Sequence, residues 1–283
     1  MKIIVFGATG MAGHVITTYL RAVGHEVLPV GGRKAFEHGG PTLDITHQTA
    51  LLEFLHAHQD ADIIVNCLGV LIEASENNPA LAAYANGYFP HLLENVTHDT
   101  STRVIHLSTD CVFAGTNAPY RETDSYDGES FYDRSKALGE LKNSKDLTFR
   151  MSIIGPDLTP DGVGLFNWFM AQRGVIRGYT RAMWNGVTTI ELARGIEAAL
   201  HQRLTGLYHL VPEGNIAKFE LLNLLKSEFG RHDLNIEPDD RPAADKTLAN
   251  TRTDFDFCVS PYAQQIREMG QWIDLHREYY PHY

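Results

Sequence analysis

Two short stretches carry the residue types needed for proton transfer at a carbonyl. Ser108-Thr109-Asp110 closes a strand-like run over residues 103–107, and Tyr132-Asp-Arg-Ser-Lys136 leads into a helix-like run over residues 135–141. A tyrosine and a lysine four residues apart on a helix lie one turn apart on one face. An ammonium in that position favours the phenolate, because a nearby opposite charge stabilises the ionised form. A Ser or Thr hydroxyl at a strand end can hold a carbonyl oxygen beside the phenol. Together these groups would interconvert a carbonyl and an alcohol. The Tyr–Lys spacing by itself is common on helix surfaces, so its meaning depends on the elements that precede it.

Those elements alternate. Residues 2–6 (Lys-Ile-Ile-Val-Phe) form a short apolar run rich in β-branched residues, the pattern of a buried parallel strand. Gly7, Gly10 and Gly13 follow at G-x-x-G-x-x-G spacing and open a helix over residues 15–23. Glycines so placed allow a tight turn and let backbone N–H groups approach a pyrophosphate at the helix N-terminus. Gly7, Thr9, Gly10, Met11 and Gly13 are therefore cofactor-binding candidates. Residues 26–30 form a second strand that runs into Gly31-Gly32-Arg33-Lys34, with no carboxylate where a ribose 2′-hydroxyl would be bound. Arg33 and Lys34 could receive a 2′-phosphate, which favours NADP(H), or stand as solvated loop cations. Asp44 lies either near an adenine or in a plain turn, and Thr46 is a candidate cap for a helix over 50–55. A third strand over 62–65 ends at Leu68-Gly69, where backbone can again approach a ligand. A helix over 79–96 carries Asn86, the fourth strand delivers Thr109 and Asp110, and a fifth over 147–154 carries Arg150. Strands alternating with helices predict an α/β fold, a doubly wound parallel sheet of the Rossmann type. Residues 1–155 form its cofactor-binding domain. Residues 156–181 and 205–283 form a smaller C-terminal substrate-binding region, with 182–204 returning to the first domain. Arg177 and Arg181 are candidate phosphate ligands there, and Trp184 and Asn185 candidates to border a sugar pocket.

Composition narrows the partners. The net charge is −11, with no Lys/Arg cluster, which argues against nucleic acid or an anionic membrane. Cys67, Cys111 and Cys258 are odd in number and far apart, so neither a disulfide framework nor a metal site is expected. A reducing, cytoplasmic location fits this usage. No apolar run approaches the length of a membrane span, and the chain enters a strand pattern directly, without the pattern of a signal peptide.

The combination of Gly7/Gly10/Gly13, Ser108-Thr109 and Tyr132-x-x-x-Lys136, in that order, resembles the extended short-chain dehydrogenase/reductases. Residues 107–115 (Leu-Ser-Thr-Asp-Cys-Val-Phe-Ala-Gly), Glu122-Thr-Asp124, the Tyr132 to Glu140 helix and residues 206–210 resemble the dTDP-4-dehydrorhamnose reductase branch and its sugar-nucleotide relatives. The resemblance implies an NADPH-dependent reductase acting on a nucleotide-linked 4-keto-6-deoxyhexose in polysaccharide precursor synthesis, with a homodimer as the common assembly. It implies Thr109, Tyr132 and Lys136 as the catalytic set. Tyr132 would protonate the ketone oxygen, Thr109 would hydrogen-bond it, and Lys136 would bind the nicotinamide ribose. Asn86, Asp110, Arg150, Arg181, Trp184 and Asn185 are then the substrate-binding candidates. Departures keep alternatives open. Cys111 stands where the rhamnose-type reductases have Tyr and sugar-nucleotide dehydratases have Glu. GDP-fucose-synthase-like epimerase/reductases have Cys there together with a later His, and this chain has no His between His106 and His201. Ile153-Ile154 replace a common aromatic pair. An epimerase/reductase using Cys111 and a non-catalytic NADP-binding regulatory subunit, like that of methionine adenosyltransferase, are the alternatives.

Overall fold

The computed structural model describes residues 1–283. Strand β1 (Lys2–Phe6) is followed by helix α1 (Met11–Ala22), β2 (Glu26–Val30), α2 (Gln48–Ala57), β3 (Ile63–Asn66), α3 (Ile72–Asn77) and α4 (Pro79–Ala82). After α4 comes one π-helical turn, Ala83–Tyr88, then α5 (Phe89–Val96), β4 (Arg103–Leu107), α6 (Phe131–Leu138) and β5 (Leu147–Arg150). The second half contains β6 (Ile153–Ile154), α7 (Leu165–Ala171), β7 (Gly174–Tyr179), β8 (Ala182–Trp184), β9 (Val187–Thr188) and α8 (Thr189–Gln202). It closes with β10 (Gly206–His209), β11 (Ile216–Ala217), α9 (Lys218–Glu228), β12 (Leu234–Asp239), β13 (Ala244–Asp245) and α10 (Tyr262–Leu275).

The central sheet has six strands in the order β10-β5-β4-β3-β1-β2. Every pairing in it is parallel. Because a strand exposes alternate residues to opposite faces, β1 feeds two cores. Ile3 and Val5 pack with residues of α1 and α8, while Ile4 and Phe6 pack with residues of α2 and α5. Strand order reverses between β1 and β3, so the crevice outside their carboxyl ends is the position where ligands bind in open α/β sheets. Gly7 and Leu68 flank that crevice.

The sequence-predicted boundaries need two corrections. Residues 206–209 do not belong with the substrate-binding region: they form β10, the sixth strand of the central sheet, because Leu207 and Tyr208 pair with β5 and Tyr208 joins the first core. The continuous helix expected over 79–96 is interrupted by the π-helical turn that carries Asn86. Such turns occur frequently at functional sites. Thr46 is also not a helix cap. Its N–H and hydroxyl both bond Asp44 Oδ1, at 2.9 and 2.7 Å, and α2 starts two residues later with no side-chain cap.

The second region is built on the parallel β7–β12 pair, packed against α9. Phe166, Phe169, Trp184, Leu221 and Trp272 share its core. Its last residues reach back to α1 through a chain of hydrogen bonds. Trp272 Nε1 donates to the Tyr280 hydroxyl at 3.0 Å, the Tyr280 hydroxyl donates to His14 Nε2 at 2.6 Å, and His14 Nδ1 donates to the Gly10 carbonyl at 2.9 Å. This order of donors requires a neutral imidazole, and burial pulls the His14 pKa down to about 4. No helix is long and apolar enough to cross a membrane.

His14 titrates at about 4 when folded and at about 6.5 when unfolded, so the unfolded chain takes up the proton first as pH falls. Thermal unfolding followed by circular dichroism should show stability declining from about pH 6.5 toward pH 4. His14→Gln, which has no proton to accept there, should lose about 2 kcal/mol less between about pH 7 and about pH 5. Equal losses in both proteins would refute the assignment.

Candidate active site

Local chemistry sets where α6 begins. The Ser130 hydroxyl accepts the Asp133 N–H at 3.0 Å, and Asp133 Oδ2 accepts the Ser130 N–H at 3.2 Å, a reciprocal cap that satisfies two orphan donors. Tyr132 therefore falls in the first turn and Lys136 one turn later, both buried, at 9% and 4% exposure. The helix packs so closely on the π-helical turn that a Cβ at Gly139 would run into the Asn86 carbonyl. At the end of β4 the two adjacent hydroxyls separate. Ser108 Oγ donates to Glu140 Oε1 at 2.6 Å, whereas Thr109 Oγ1 donates to Asp110 Oδ1 at 3.0 Å and accepts the Cys111 N–H at 3.1 Å. Only Thr109 faces the Tyr132 phenol.

Burial dominates the electrostatics. It pushes the Tyr132 phenol well above the ordinary tyrosine range, Cys111 and Asp110 add to the rise, and the Thr109 hydroxyl opposes it. Lys136 is not among the leading influences on the phenol. The lysine Nζ instead donates to the Leu107 carbonyl at 2.6 Å and lies 3.5 Å from His106 Nε2. Burial lowers the Lys136 pKa to about 8. Burial likewise raises the Cys111 thiol to about 12 and the Asp110 carboxyl above its usual range.

The glycine turn lies at the switch point. Gly7 has φ +76°, and a Cβ there would sit 3.1 Å from the Cys67 carbonyl carbon, so backbone passes closely over β3's end. A Cβ at Gly13 would strike the Gly7 carbonyl. Gly10 stands at the N-cap of α1 with no side-chain cap, which leaves the first-turn N–H groups for a ligand. Thr9 and Met11 are half-buried around it, with the Met11 sulfur facing Gly164. Leu68 is anchored through its N–H to Asn66 Oδ1 at 3.1 Å, and Gly69 is exposed beside it. Arg33 is exposed and close enough to Asp44 to help hold that carboxyl low, although the Thr46 hydrogen bonds are the larger cause.

The substrate-binding candidates fall in several different places. Arg150 is enclosed at 0% exposure. Its Nε and Nη2 donate to Glu140 at 2.9 and 2.6 Å and its Nη1 donates to His209 Nε2 at 2.8 Å, so no face is open to a ligand. Asn86 is also fully buried; its Oδ1 accepts the Val70 N–H at 2.7 Å and its Nδ2 donates to the Val70 carbonyl and Ser135 Oγ. Asn185 bonds both backbone groups of Leu248, and Trp184 belongs to the second core. In this structure these four side chains are paired or packed within the protein. Asp110 remains partly exposed beside Thr109. Arg181 is exposed and borders a depression of about 400 Å³ with Gly115, Met183 and Asp245, while Arg177 is paired with Asp239 at 3.1 Å.

Sequence reasoning missed the charged cluster beneath the site. Glu140 accepts from Ser108, Arg150 and, at 2.5 Å, the Tyr126 hydroxyl. His209 donates from Nδ1 to the Ala249 carbonyl at 2.9 Å, which leaves Nε2 to accept from Arg150. The available signal was Glu140 eight residues after Tyr132 and an arginine ending the next strand. Arg150→Met should destabilise the protein by about 3–5 kcal/mol, because it leaves Glu140 charged and without its cation in a dry site. Adding Glu140→Gln should recover part of that loss in denaturant unfolding; no recovery would show that the charge is not the cause.

A family model described as the RmlD substrate binding domain matches residues 1–253. The probable low-salt glycan biosynthesis reductase Agl14 of Haloferax volcanii is 34% identical over 183 residues, 59% of this chain and 59% of that protein. The dTDP-4-dehydrorhamnose reductase of Mycolicibacterium smegmatis is 29% identical, and the match spans 40% of its length. That of Salmonella typhimurium is 27% identical over 226 residues, 76% of this chain and 73% of the relative. Among solved structures, a dTDP-4-dehydrorhamnose reductase from Clostridium acetobutylicum superposes with TM-score 0.80 at 21% identity, covering 97% of this chain and all of that one. One from Bacillus anthracis, in complex with NADP, gives TM-score 0.80 at 20% identity, covering 96% and 99%. The structural likeness establishes a shared Rossmann-type fold, and the family match over residues 1–253 establishes membership: the chain belongs to the family described as the RmlD substrate binding domain, among the extended short-chain dehydrogenase/reductases.

Proposed function

We propose that this protein is an NADPH-dependent reductase of the keto group of a nucleotide-linked 4-keto-6-deoxyhexose. The observation that carries the reading is the buried Thr109–Tyr132 hydroxyl pair, placed at the carboxyl edge of the sheet that also presents the glycine turn at the switch point. The turn fits a dinucleotide: side chains are absent where a Cβ would block Gly7 and Gly13, and α1 has no side-chain cap. Gly7, Thr9, Gly10, Met11 and Gly13 would hold the pyrophosphate, Leu68 and Gly69 would line the nicotinamide side, and Arg33 would meet a 2′-phosphate with Asp44 nearby. A reduced nicotinamide bound there supplies hydride to the substrate carbon.

In this reading Thr109 hydrogen-bonds the ketone oxygen and Tyr132 delivers its proton to it. A phenol kept protonated by burial is suited to the acid role. Lys136 contacts the cofactor ribose, and Asp110 and Arg181 bind the substrate, Arg181 as the exposed cation for its diphosphate. Arg150, Asn86, Asn185 and Trp184 shape the site through the protein contacts described above. The thiol of Cys111, pushed up to about 12, is a poor base near neutral pH, which counts against the epimerase alternative. A place in polysaccharide precursor synthesis and a homodimeric assembly accompany the reading.

Loss of reduced-nicotinamide absorbance against a panel of nucleotide-linked 4-keto sugars tests the reaction; a complete lack of turnover would overturn it. Tyr132→Phe should lower turnover by about 10²–10⁴-fold while NADPH still raises the melting temperature. Undiminished activity would remove Tyr132 from the mechanism. Arg33→Ala should weaken NADPH relative to NADH by about 10–100-fold, the worth of a charge-assisted hydrogen bond. An unchanged ratio would place 2′-phosphate recognition elsewhere.

A further inference from the structure

Helix α1 starts beside the carboxyl end of β1 and runs back to the opposite edge of the sheet, where its end meets the last turn of α8. Leu20 of α1 shares a core with Ile196, Ala199 and Leu200 of α8, which fixes the two helices against each other. The turn that closes α1 is also fixed. Gly24, at φ +95°, donates its N–H to the Arg21 carbonyl at 3.0 Å, and the His25 N–H donates to the Leu20 carbonyl at 3.0 Å. His25 is thereby set beside α8, with its ring centroid 6.4 Å from that of His201. Glu197 and His201, four residues apart in α8, lie one turn apart on one face. One ring nitrogen of each histidine and one carboxylate oxygen of Glu197 all lie within 4.8 Å of one another.

Two of these groups lack the partners that the rest of the fold supplies to its polar atoms. His25 Nε2 is shut off from solvent and has no hydrogen-bond partner, a state in which buried polar atoms are seldom left. The Glu197 side chain is only 26% exposed, yet its one charged neighbour within ion-pair distance is His201. Arg194, three residues earlier, is turned to Glu191 and Glu268 instead. The Tyr19 hydroxyl donates to Glu197 Oε2 at 3.2 Å, and Oε1 is left facing His201 Nε2 at 3.4 Å, too long for a good hydrogen bond. A carboxylate with one oxygen held by a hydrogen bond and the other directed at an imidazole nitrogen is oriented as metal-ligating carboxylates are. We propose that His25, Glu197 and His201 bind one divalent transition-metal ion of the zinc class. Two imidazoles and a carboxylate suit Zn²⁺ and not Mg²⁺ or Ca²⁺, which take oxygen ligands. Bonds of about 2.0–2.2 Å in a tetrahedral site put ligand atoms about 3.3–3.5 Å apart. The His201 side chain, 62% exposed, is free to close the remaining gap. Three protein ligands leave the fourth position to water. The ion ties the turn after α1 to α8. It holds the end of α1 remote from the glycine turn, as the His14–Tyr280 bond holds the beginning.

The site is independent of the proposed reaction, and its test uses neither substrate nor cofactor. The full chain, free of any polyhistidine tag and stripped with chelator, is titrated with zinc chloride in a calorimeter. One equivalent of Zn²⁺ should bind, and an excess of Mg²⁺ should not displace it. Zn²⁺ at about a hundredfold over its Kd should raise the melting temperature by about 4–5 °C, and chelator should reverse the rise. Three variants assign the ligands. His25→Gln, Glu197→Gln and His201→Gln should each weaken the binding by about tenfold or more and remove the thermal shift. His201→Gln changes an exposed side chain, so a loss there is not a loss of folding. Glu197→Gln keeps the volume of the side chain and its bond from Tyr19 while removing the charge. Failure of the unaltered chain to bind one equivalent overturns the proposal. So does binding that is equally strong in His25→Gln and His201→Gln, because the ion is then adventitious, held by others among the 14 histidines.

Discussion

The carboxyl edge of this sheet depends on one carboxylate kept out of water. Glu140 takes hydrogen bonds from Ser108 at the end of β4 and from Arg150 at the end of β5, and Arg150 passes the connection to His209 at the end of β10. Three strand ends and the residue just beyond α6 are thus joined by charge-assisted bonds with no exposed atom between Glu140 and Arg150. Arg150 also lies over the faces of Phe113 and Tyr126, 4.8 and 5.4 Å from their centroids. A buried ion pair is weak evidence for net stability, because desolvation offsets most of the attraction. Its geometric demand is strict, however: a carboxylate and a guanidinium without water must find each other in one arrangement. The loop that starts with Thr109 leaves from that arrangement.

The same dryness sets the chemistry above it. Tyr132 and Lys136 both lose solvation, which raises the phenol and lowers the amine, and each shift favours the neutral form. The site at neutral pH is therefore a protonated phenol beside a lysine that, at about 8, still holds its proton more loosely than usual. Ser108 and Thr109, adjacent in sequence and identical in functional group, have opposite assignments because successive side chains at a strand end point to opposite sides. One is taken by Glu140, and the other faces the phenol.

Most of the second region's polar groups serve the fold. Asn185 closes a two-bond clamp on Leu248, and Trp184 fills the core between α9 and α10. Arg181, just after β7, stays exposed, while Arg177 within β7 is paired with Asp239. The reach of the C-terminal residues to α1 through Tyr280 and His14 binds this region to the glycine turn, so the two halves are coupled at the carbonyl of Gly10.

Periodicity and glycine spacing were enough to read the alternating elements, the parallel sheet and the turn after β1, because each is a local pattern imposed by backbone geometry. The π-helical turn, the transfer of β10 into the main sheet and the fate of the polar candidates were not legible. Asn86, Arg150 and Asn185 look like ligand-binding residues in sequence, since residue type reports what a side chain can bond and not which partner reaches it first. Once folding places Val70, Glu140 and Leu248 within hydrogen-bond distance, the cost of leaving a buried polar group unpaired decides the matter. The sequence by itself determined the fold class and which residues could transfer a proton. Only the tertiary structure decided which hydroxyl is free, which lone pair each imidazole nitrogen offers, and how far burial moves the tyrosine and the lysine, because all three are set by neighbours distant in the chain.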